Sequence, residues 1–297
     1  MADDRVLEGF IHNMGKPAIL EIRGHLQAIG FLHVSRMFKG CKLDLALIST
    51  LVERWRPKTH TLHLSCDECT ITLNDVVLQI GLLMDGPVIT GSMIVPSKVG
   101  LCESLLGKVP DKFKSGRISI NWLKDNFDEL PENRTEEVIE QYARAYIMRL
   151  IGGILMSDKS QNLVHIKWQL HLMDFNECEK LSWRSVVLSI LFREMCRATI
   201  LSAASIGGCL LMLQAWVWWR LLFLHPKVTD LYMFPLVTRS VGQSIDVGRQ
   251  CAIGSVHDGG NALIGLGVMA AWVEATNSTT IARLEGVVQG GHAGEGQ

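Results

Sequence analysis

The feature that most constrains this chain is a run of twenty residues without a formal charge, from Ile200 to Trp219. Its length is close to the roughly 20 residues that a helix needs to cross a bilayer. Gln214 and the Gly207–Gly208 pair interrupt the run, and Arg220 follows it directly. These interruptions favour a buried helix of a globular core, with a membrane span as the alternative.

The overall composition is that of a folding chain with no strong electrostatic bias. It has 297 residues, 48% of them hydrophobic, and a net charge of −1, so charge gives no support to nucleic-acid binding. The eight cysteines are scattered, and the N-terminal MADDRVLEGF has acids where a secretory leader needs bases. These features predict an intracellular protein with reduced thiols.

Apolar residues that recur every three or four positions predict several helices. Thr72 and Asp75 have the spacing of a capping box, and Gly81 stands where that helix needs a left-handed C-cap. Thr135 and Ser182 are predicted to cap two further helices, the second with Arg184, Arg193 and Glu194 facing outward. The predicted helices lie at about 17–29, 43–55, 73–80, 122–130 and 135–156, from 182 onward, and in the uncharged run.

The remaining segments predict little regular structure. Alternating β-branched residues over 59–73 indicate a short hairpin, and the turn-rich segment 88–117 is interpreted as a surface connection. We therefore predict a mainly α fold, a single largely helical domain with one or two small β-hairpins, followed by an irregular glycine-rich tail. The predicted boundaries are an N-terminal extension at 1–14, the domain at 15–229 and the tail at 230–297.

Four potential metal ligands follow one another at intervals of three residues: His60, His63, Cys66 and Cys69. In an extended strand His60 and His63 point to opposite faces, and a zinc knuckle normally takes its second ligand pair from far away in the sequence. We interpret them as hairpin-packing histidines with reduced thiols, and as weak candidates for a metal site.

No catalytic or cofactor-binding residue is predicted. The phosphate-binding pattern GxxxxGK[ST], a strand followed by GxGxxG, and the nucleophile elbow GxSxG are all missing from the sequence. Asp158-Lys159-Ser160 is interpreted as a solvated turn. Trp216, Trp218 and Trp219 are interpreted as core residues, because a base-stacking platform normally has a basic groove beside it.

Several strings, in order, resemble the plant mobile domain. The most specific spans 43–91 and begins LDLALISTLVERWRPKTHTL, and others lie at 142–175, 181–199 and 206–226, the last being IGGCLLMLQAWVWWRLLFLHP. The resemblance covers roughly residues 15–226. Its motif and core positions are Trp55, Arg56, Pro57, Trp168, Trp183 and Trp216.

This resemblance implies a transposon-related, non-enzymatic interaction module that is nuclear and linked to transposon silencing, gene expression and meristem maintenance. It implies protein partners, among them a plant serine/threonine phosphatase, and no cofactor, despite the family's alternative label of aminotransferase-like. The metallophosphatase signatures GDxHG, GDxxDRG and GNHE are missing. The resemblance also implies that Gly207 to Leu211 lie in a buried helix rather than in a membrane.

Three other hypotheses stay open at this point. The first is that the chain is a transposon-derived hydrolase or nuclease with an unrecognised acidic site. The second is that it is an integral membrane protein that uses Ile200 to Trp219. The third is that it is a decayed transposon product without a cellular role. No stretch of lysines and arginines marks a nuclear localisation signal.

Overall fold

The computed structural model describes residues 6–9, 11, 14–38, 42–64, 68–82, 86–89, 95, 97–132, 134–158 and 162–221. The predicted tail at 230–297 lies outside these residues, as do Cys66, Lys159 and Ser160. The described part is mainly helical with small antiparallel strand pairs, which confirms the predicted fold class. Its α-helices are α1 (Arg23–Ala28), α2 (Leu32–Ser35), α3 (Leu45–Glu53), α4 (Leu73–Ile80), α5 (Lys98–Leu106), α6 (Ile120–Phe127), α7 (Glu136–Leu150), α8 (Phe175–Glu179), α9 (Trp183–Ala198) and α10 (Leu210–Arg220).

The strands form one sheet of three strands and one separate pair. The strands β1 (Trp55–Arg56), β2 (Thr61–His63) and β3 (Glu68–Cys69) are antiparallel in the order β1-β2-β3. The predicted hairpin is therefore present, and it gains β1, which the sequence analysis assigned to the end of a helix. The other pair, β4 (Arg117–Ser119) and β5 (Leu163–His165), joins strands that are distant in the sequence and is not a hairpin.

The ends of α4 are those that the sequence predicted. The Thr72 hydroxyl accepts a hydrogen bond from the Asp75 N–H at 3.2 Å, and the Asp75 carboxylate accepts one from the Thr72 N–H at 2.7 Å. Gly81 ends the helix with φ of 70°. At that position an added Cβ would also lie 2.6 Å from the His33 ring, so the C-cap requires glycine for its backbone and its surroundings.

Other predicted helices differ from the structure. A single helix is predicted at 17–29, whereas the structure has a 3₁₀ turn, Leu20–Ile22, followed by the short α1. The helix predicted to end near 156 is α-helical only to Leu150 and continues as a π-helix, Ile151–Leu155. The surface connection predicted at 88–117 contains α5, whose Cys102 and Leu106 are buried. Its apolar residues are not concentrated on one face of the helix, so periodicity does not reveal it.

The uncharged run is not one continuous helix. Thr199 to Cys209 is non-helical, and α10 occupies only 11 residues. Within the residues that the structure describes, no helix has both the length and the apolar character needed to cross a membrane. The prediction of a buried helix is confirmed for α10, since every residue from Leu210 to Val217 is buried. It was wrong for Gly207, Gly208 and Cys209, which are buried but lie before the start of the helix.

A continuous hydrophobic core joins the two ends of the described chain. It extends from Leu7 and Met14 through α3, α4, α7 and α9 to α10. The core indoles of Trp55, Trp183 and Trp216 are almost completely buried. Leu7 and Met14 fall within the segment predicted as an N-terminal extension, and their packing attaches that segment to the helical domain.

Candidate functional site

A cleft lies between α9, the β4-β5 pair and the chain that follows the π-helix. Its volume of about 630 Å³ falls within the range typical of ligand-binding pockets. Met156, Leu163 and Ile190 contribute apolar surface to its walls. A 3₁₀ helix, Ile166–Leu172, follows β5 and brings Lys167 and Trp168 to the cleft.

Close backbone packing fixes the strand side of the cleft. Arg117 and His165 are register partners across β4 and β5, so two distant segments deliver their side chains to one place. A Cβ added to Gly152 would lie 2.6 Å from the Val164 side chain. The π-helix therefore approaches β5 as closely as it does because Gly152 has no side chain.

The Gly207–Gly208 pair supports the opposite side. The Gly208 N–H donates to the Ser157 carbonyl at 2.7 Å, and the Ser157 hydroxyl donates to the Gly208 carbonyl at 2.8 Å. A Cβ on Gly207 would lie 2.5 Å from the same Ser157 carbonyl. This contact holds the chain just before Asp158, whose side chain lines the cleft.

Six of the fourteen described lining residues of the cleft are charged, and positive charge is in excess. Four of the six are basic and two are carboxylates. The excess of two positive charges contrasts with a net charge of −1 for the whole chain. These six residues are Arg117, Lys167, Arg193, Arg197, Asp158 and Glu194.

Both carboxylates are ion-paired with arginine. Arg117 Nε lies 2.9 Å from Asp158 Oδ2, although this buried nitrogen lacks the alignment of a hydrogen bond. Glu194 Oε1 lies 3.1 Å from Arg197 Nη1 and 3.3 Å from Arg193 Nη2. The sequence analysis predicted that Glu194 faces outward, and this prediction was wrong: the residue is only 3% exposed. The two arginines make this burial of a charge tolerable.

Lys167 has a different environment. None of the ion pairs in the described part of the chain includes it, and its ammonium group lies 5.2 Å from the centre of the Trp168 ring. Burial lowers the pKa of Lys167, and the positive charges of Arg193 and Arg117 lower it further. A half-buried cation that is repelled by neighbouring cations favours the approach of an anion.

His165 is held neutral at physiological pH. Burial lowers its pKa to about 4, and the positive charges of Lys167, Arg117 and Lys98 act in the same direction. Its Nδ1 accepts a hydrogen bond from the backbone N–H of Lys167 at 3.1 Å. With its carboxylates paired and its histidine neutral, the cleft is suited to binding negative charge.

Of the four residues predicted as weak metal candidates, the structure describes His60, His63 and Cys69, and these three do not form a metal-binding group. His60 packs against Phe192, with ring centres 5.6 Å apart, whereas His63 is exposed and pairs across the sheet with Glu68. Cys69 is paired with Leu62, and Cys66 lies outside the described residues. Among the described residues, no group of three or more His, Cys, Asp or Glu side chains is arranged to hold a metal ion.

The predicted motif and core residues lie in two kinds of environment. Trp55, Trp168, Trp183 and Trp216 are buried, and Trp168 also borders the cleft. Arg56, the last residue of β1, and Pro57, which follows it, are exposed. The sequence analysis did not identify the cleft cations as a group, since they lie on three separate elements: β4, the 3₁₀ helix after β5, and α9.

A second polar site lies beneath Lys16. Arg149 is buried there, and its Nη2 donates to the Met14 carbonyl at 2.8 Å while its Nη1 lies 4.0 Å from Asp128. Lys16 also pairs with Asp128, at 2.7 Å. The adjoining cavity, about 10 Å³, has room for roughly one water molecule. This site links α7 to the N-terminal segment and has a structural role.

Comparisons with known proteins identify relatives over most of the described chain. The family model of the plant mobile domain matches residues 30–249. The chain is also similar to individual proteins of Arabidopsis thaliana. Serine/threonine-protein phosphatase 7 long form homolog is 44% identical over 61% of this chain and 14% of its own length. Protein MAINTENANCE OF MERISTEMS is 37% identical over 68% and 42%, and Protein MAIN-LIKE 2 is 36% identical over 67% and 30%.

The match thus spans less than half of the length of each of these relatives. No solved structure matches the chain.

Proposed function

Because the chain belongs to the plant mobile domain family, we propose that it is a non-enzymatic interaction module that acts within a nuclear protein complex. The work of that complex is the control of gene expression, the silencing of transposons and the maintenance of meristems. The similarity to Protein MAINTENANCE OF MERISTEMS and Protein MAIN-LIKE 2 supports this assignment. The role rests on the helical domain, over which these similarities extend.

The observation that most favours binding over catalysis is the pairing of the cleft carboxylates. A hydrolase or nuclease with an acidic site needs a carboxylate that is free to accept a proton or to hold a metal. Asp158 and Glu194 instead lie within ion-pair distance of Arg117 and Arg197 respectively. This arrangement leaves positive charge available to a partner.

A serine/threonine phosphatase is the proposed partner. The support is the similarity to a relative whose name is Serine/threonine-protein phosphatase 7 long form homolog. That match covers 14% of the relative's length, so the proposal concerns association with such an enzyme and not phosphatase activity of this chain.

The decisive experiment is capture of partners from plant nuclei with the tagged full-length chain, followed by a salt wash and mass spectrometry. We expect a serine/threonine phosphatase or a chromatin-associated protein that an excess of the untagged chain displaces. An unrelated tagged protein of similar charge serves as the control. Aggregation of the chain, or capture that the untagged chain does not displace, would contradict the proposal and favour a decayed transposon product.

A separate assay tests the non-enzymatic assignment. The purified chain is incubated with an aryl phosphate monoester and with single-stranded DNA, each with and without added Mg²⁺ or Mn²⁺. We expect no turnover above a buffer blank. Turnover that the Asp158→Asn and Glu194→Gln variants abolish would identify the cleft as an active site.

A further inference from the structure

We propose that the cleft between α9 and the β4-β5 pair binds a phosphorylated serine or threonine side chain of a partner polypeptide. This inference rests on the proposed function as an interaction module and names the chemical group that the module recognises. It is carried by the kind, number and pairing of the charged side chains that line the cleft.

The cleft holds a basic side chain that its own carboxylates do not pair with. Lys167 takes part in no ion pair in the described part of the chain, whereas Arg117 Nε lies 2.9 Å from the Asp158 carboxylate without the alignment of a hydrogen bond. A charged group held partly away from water without a counter-ion costs free energy, which an anionic ligand recovers. Lys167 and Arg117 both line the cleft, so one anion of modest size is expected to bind Lys167 beside the Arg117–Asp158 pair.

The charge of a phosphorylated side chain matches the charge of the cleft. A phosphoserine or phosphothreonine carries roughly −1.5 to −2 at neutral pH and offers three acceptor oxygens. The cleft has two positive charges in excess among its described lining residues. Arginine also binds phosphate through two parallel hydrogen bonds, and Arg117, Arg193 and Arg197 supply three such groups around Lys167.

The shape of the cleft favours a polypeptide over a nucleic acid. Proteins that bind single strands combine a long basic groove with exposed aromatic rings on which bases stack. The aromatic residue in this lining is Trp168, and it is only 7% exposed. Met156, Leu163 and Ile190 border the charged groups and suit the apolar residues that flank a phosphorylated side chain in a peptide.

The test measures binding of the full-length chain to the fluorescein-labelled peptide Gly-Ala-Leu-pSer-Leu-Ala-Gly by fluorescence anisotropy. Parallel titrations use the same peptide with unmodified serine. Inorganic phosphate and a twelve-residue oligothymidylate are then added as competitors. Lys167→Gln removes the unpaired cation, and Arg197→Gln removes a second cation from the cleft lining. The control, Lys112→Gln, removes one positive charge at an exposed position outside the cleft. Thermal melts followed by circular dichroism establish that each variant is folded.

We expect saturable binding of the phosphopeptide and none of the unmodified peptide. Lys167→Gln and Arg197→Gln are each expected to weaken binding at least tenfold, whereas Lys112→Gln changes it less than twofold. Absence of saturable binding, equal affinity for both peptides, or equal effects of the three variants would overturn the inference. A polypeptide ligand would also be excluded if inorganic phosphate competed as well as the peptide. The same holds if the oligothymidylate bound more tightly than the peptide.

The same Lys167→Gln variant separates this inference from the function on which it rests. It is used in parallel with the wild-type chain in the partner capture from nuclei. If both chains retain the same displaceable partner, the interaction module stands and the assignment of the cleft fails. If the wild-type chain retains no displaceable partner, the proposed function itself fails.

Discussion

Single residues determine how closely separate segments of this chain approach one another. Gly207 is the sharpest case, because a Cβ added there would lie 2.5 Å from the Ser157 carbonyl oxygen, and the residue after Ser157, Asp158, lines the cleft. The sequence analysis used the Gly207–Gly208 pair as an argument against a membrane helix and placed it in a buried helix by resemblance. The structure gives the pair a positive role, since a side chain at Gly207 would push the two segments apart.

We expect Gly207→Ala to lower the free energy of unfolding by about 1–3 kcal/mol, the usual cost of overpacking a tight contact. The added Cβ would lie 2.5 Å from a backbone oxygen, which cannot move aside as a flexible side chain would. Gly24→Ala is the matched control. Gly24 lies in α1 with nothing within 4 Å of an added Cβ, so alanine there is expected to stabilise by about 0.4–1 kcal/mol. Urea denaturation of both variants measures these values, and equal effects would refute the contact.

Glu194 shows how the charge of a residue can mislead a prediction of its orientation. By spacing it belongs to the inward stripe of α9, four residues after Ile190 and one before Met195, both of which are buried. Its charge suggested an outward orientation. The side chain is nevertheless buried because Arg193 and Arg197, on the same helix, neutralise it. Helix periodicity alone would have found this cleft residue.

Among the elements, α4 is the one whose limits the sequence specifies most completely. Its capping box satisfies two backbone N–H groups that no helical bond can reach. Thr72→Ala removes the hydroxyl that accepts from Asp75 N–H, and we expect it to lower the free energy of unfolding by about 1–2 kcal/mol.

Ser97→Ala is the matched control for this prediction. Ser97 caps α5 through a single exposed hydrogen bond, 3.1 Å from its Oγ to the Gly100 nitrogen. Because this bond is exposed to water and has no reciprocal partner, its loss is expected to cost about 0.5 kcal/mol. Chemical denaturation of the full chain compares the two variants. A cost for Ser97→Ala as large as that for Thr72→Ala would show that the reciprocal bond adds nothing.

The elements that were predicted depend on residues close together in the sequence, whereas those that were missed depend on residues far apart. Helix α4 is specified by a cap, an apolar stripe and a glycine within ten residues, so the sequence alone indicates it. The β4-β5 pair depends on contacts between residues more than forty positions apart, which no local pattern reveals. The cleft therefore could not be predicted, although every residue that lines it was visible in the sequence.

On the scale of the whole molecule, half-buried histidines connect stability to pH. Burial lowers the pKa of His165 to about 4, and burial also lowers the pKa of His60 and of His171. Between about pH 6.5 and pH 4 the unfolded chain binds more protons at these sites than the folded chain does. Their contribution to stability is therefore complete above the ordinary histidine pKa of about 6.5 and is lost as the pH falls toward 4.

We expect the free energy of unfolding to decrease steadily from pH 7 to pH 4, as measured by urea denaturation at fixed ionic strength. His165→Asn keeps an acceptor for the Lys167 N–H while removing a titrating group, so this variant should show a shallower decrease. His63→Asn removes a histidine from an exposed position and serves as the control. A pH profile that is the same for wild type and His165→Asn would exclude His165 as a contributor.

The residue at which the folded domain begins depends on contacts across the whole molecule. The sequence predicts a boundary at residue 15, yet the preceding segment is bound at several points. The Leu7 N–H donates to Ser49 Oγ at 2.8 Å, the Glu8 N–H donates to the Ala204 carbonyl at 2.8 Å, and the Ile206 N–H donates to the Glu8 carbonyl at 2.9 Å. These bonds join the segment to α3 and to the chain before α10, which lie far apart in the sequence.

Leu7→Ala in the full chain is therefore expected to lower the free energy of unfolding by about 2–4 kcal/mol, because it leaves a cavity in a core where Leu7 is only 1% exposed. Val6→Ala is the control: its side chain is 55% exposed, so the change should stay within about 0.5 kcal/mol. Deletion of residues 1–14 should cost more than Leu7→Ala, since it also removes Met14, whose carbonyl accepts from the buried Arg149. If the domain instead begins at residue 15, the deletion and both substitutions will leave the denaturation midpoint unchanged.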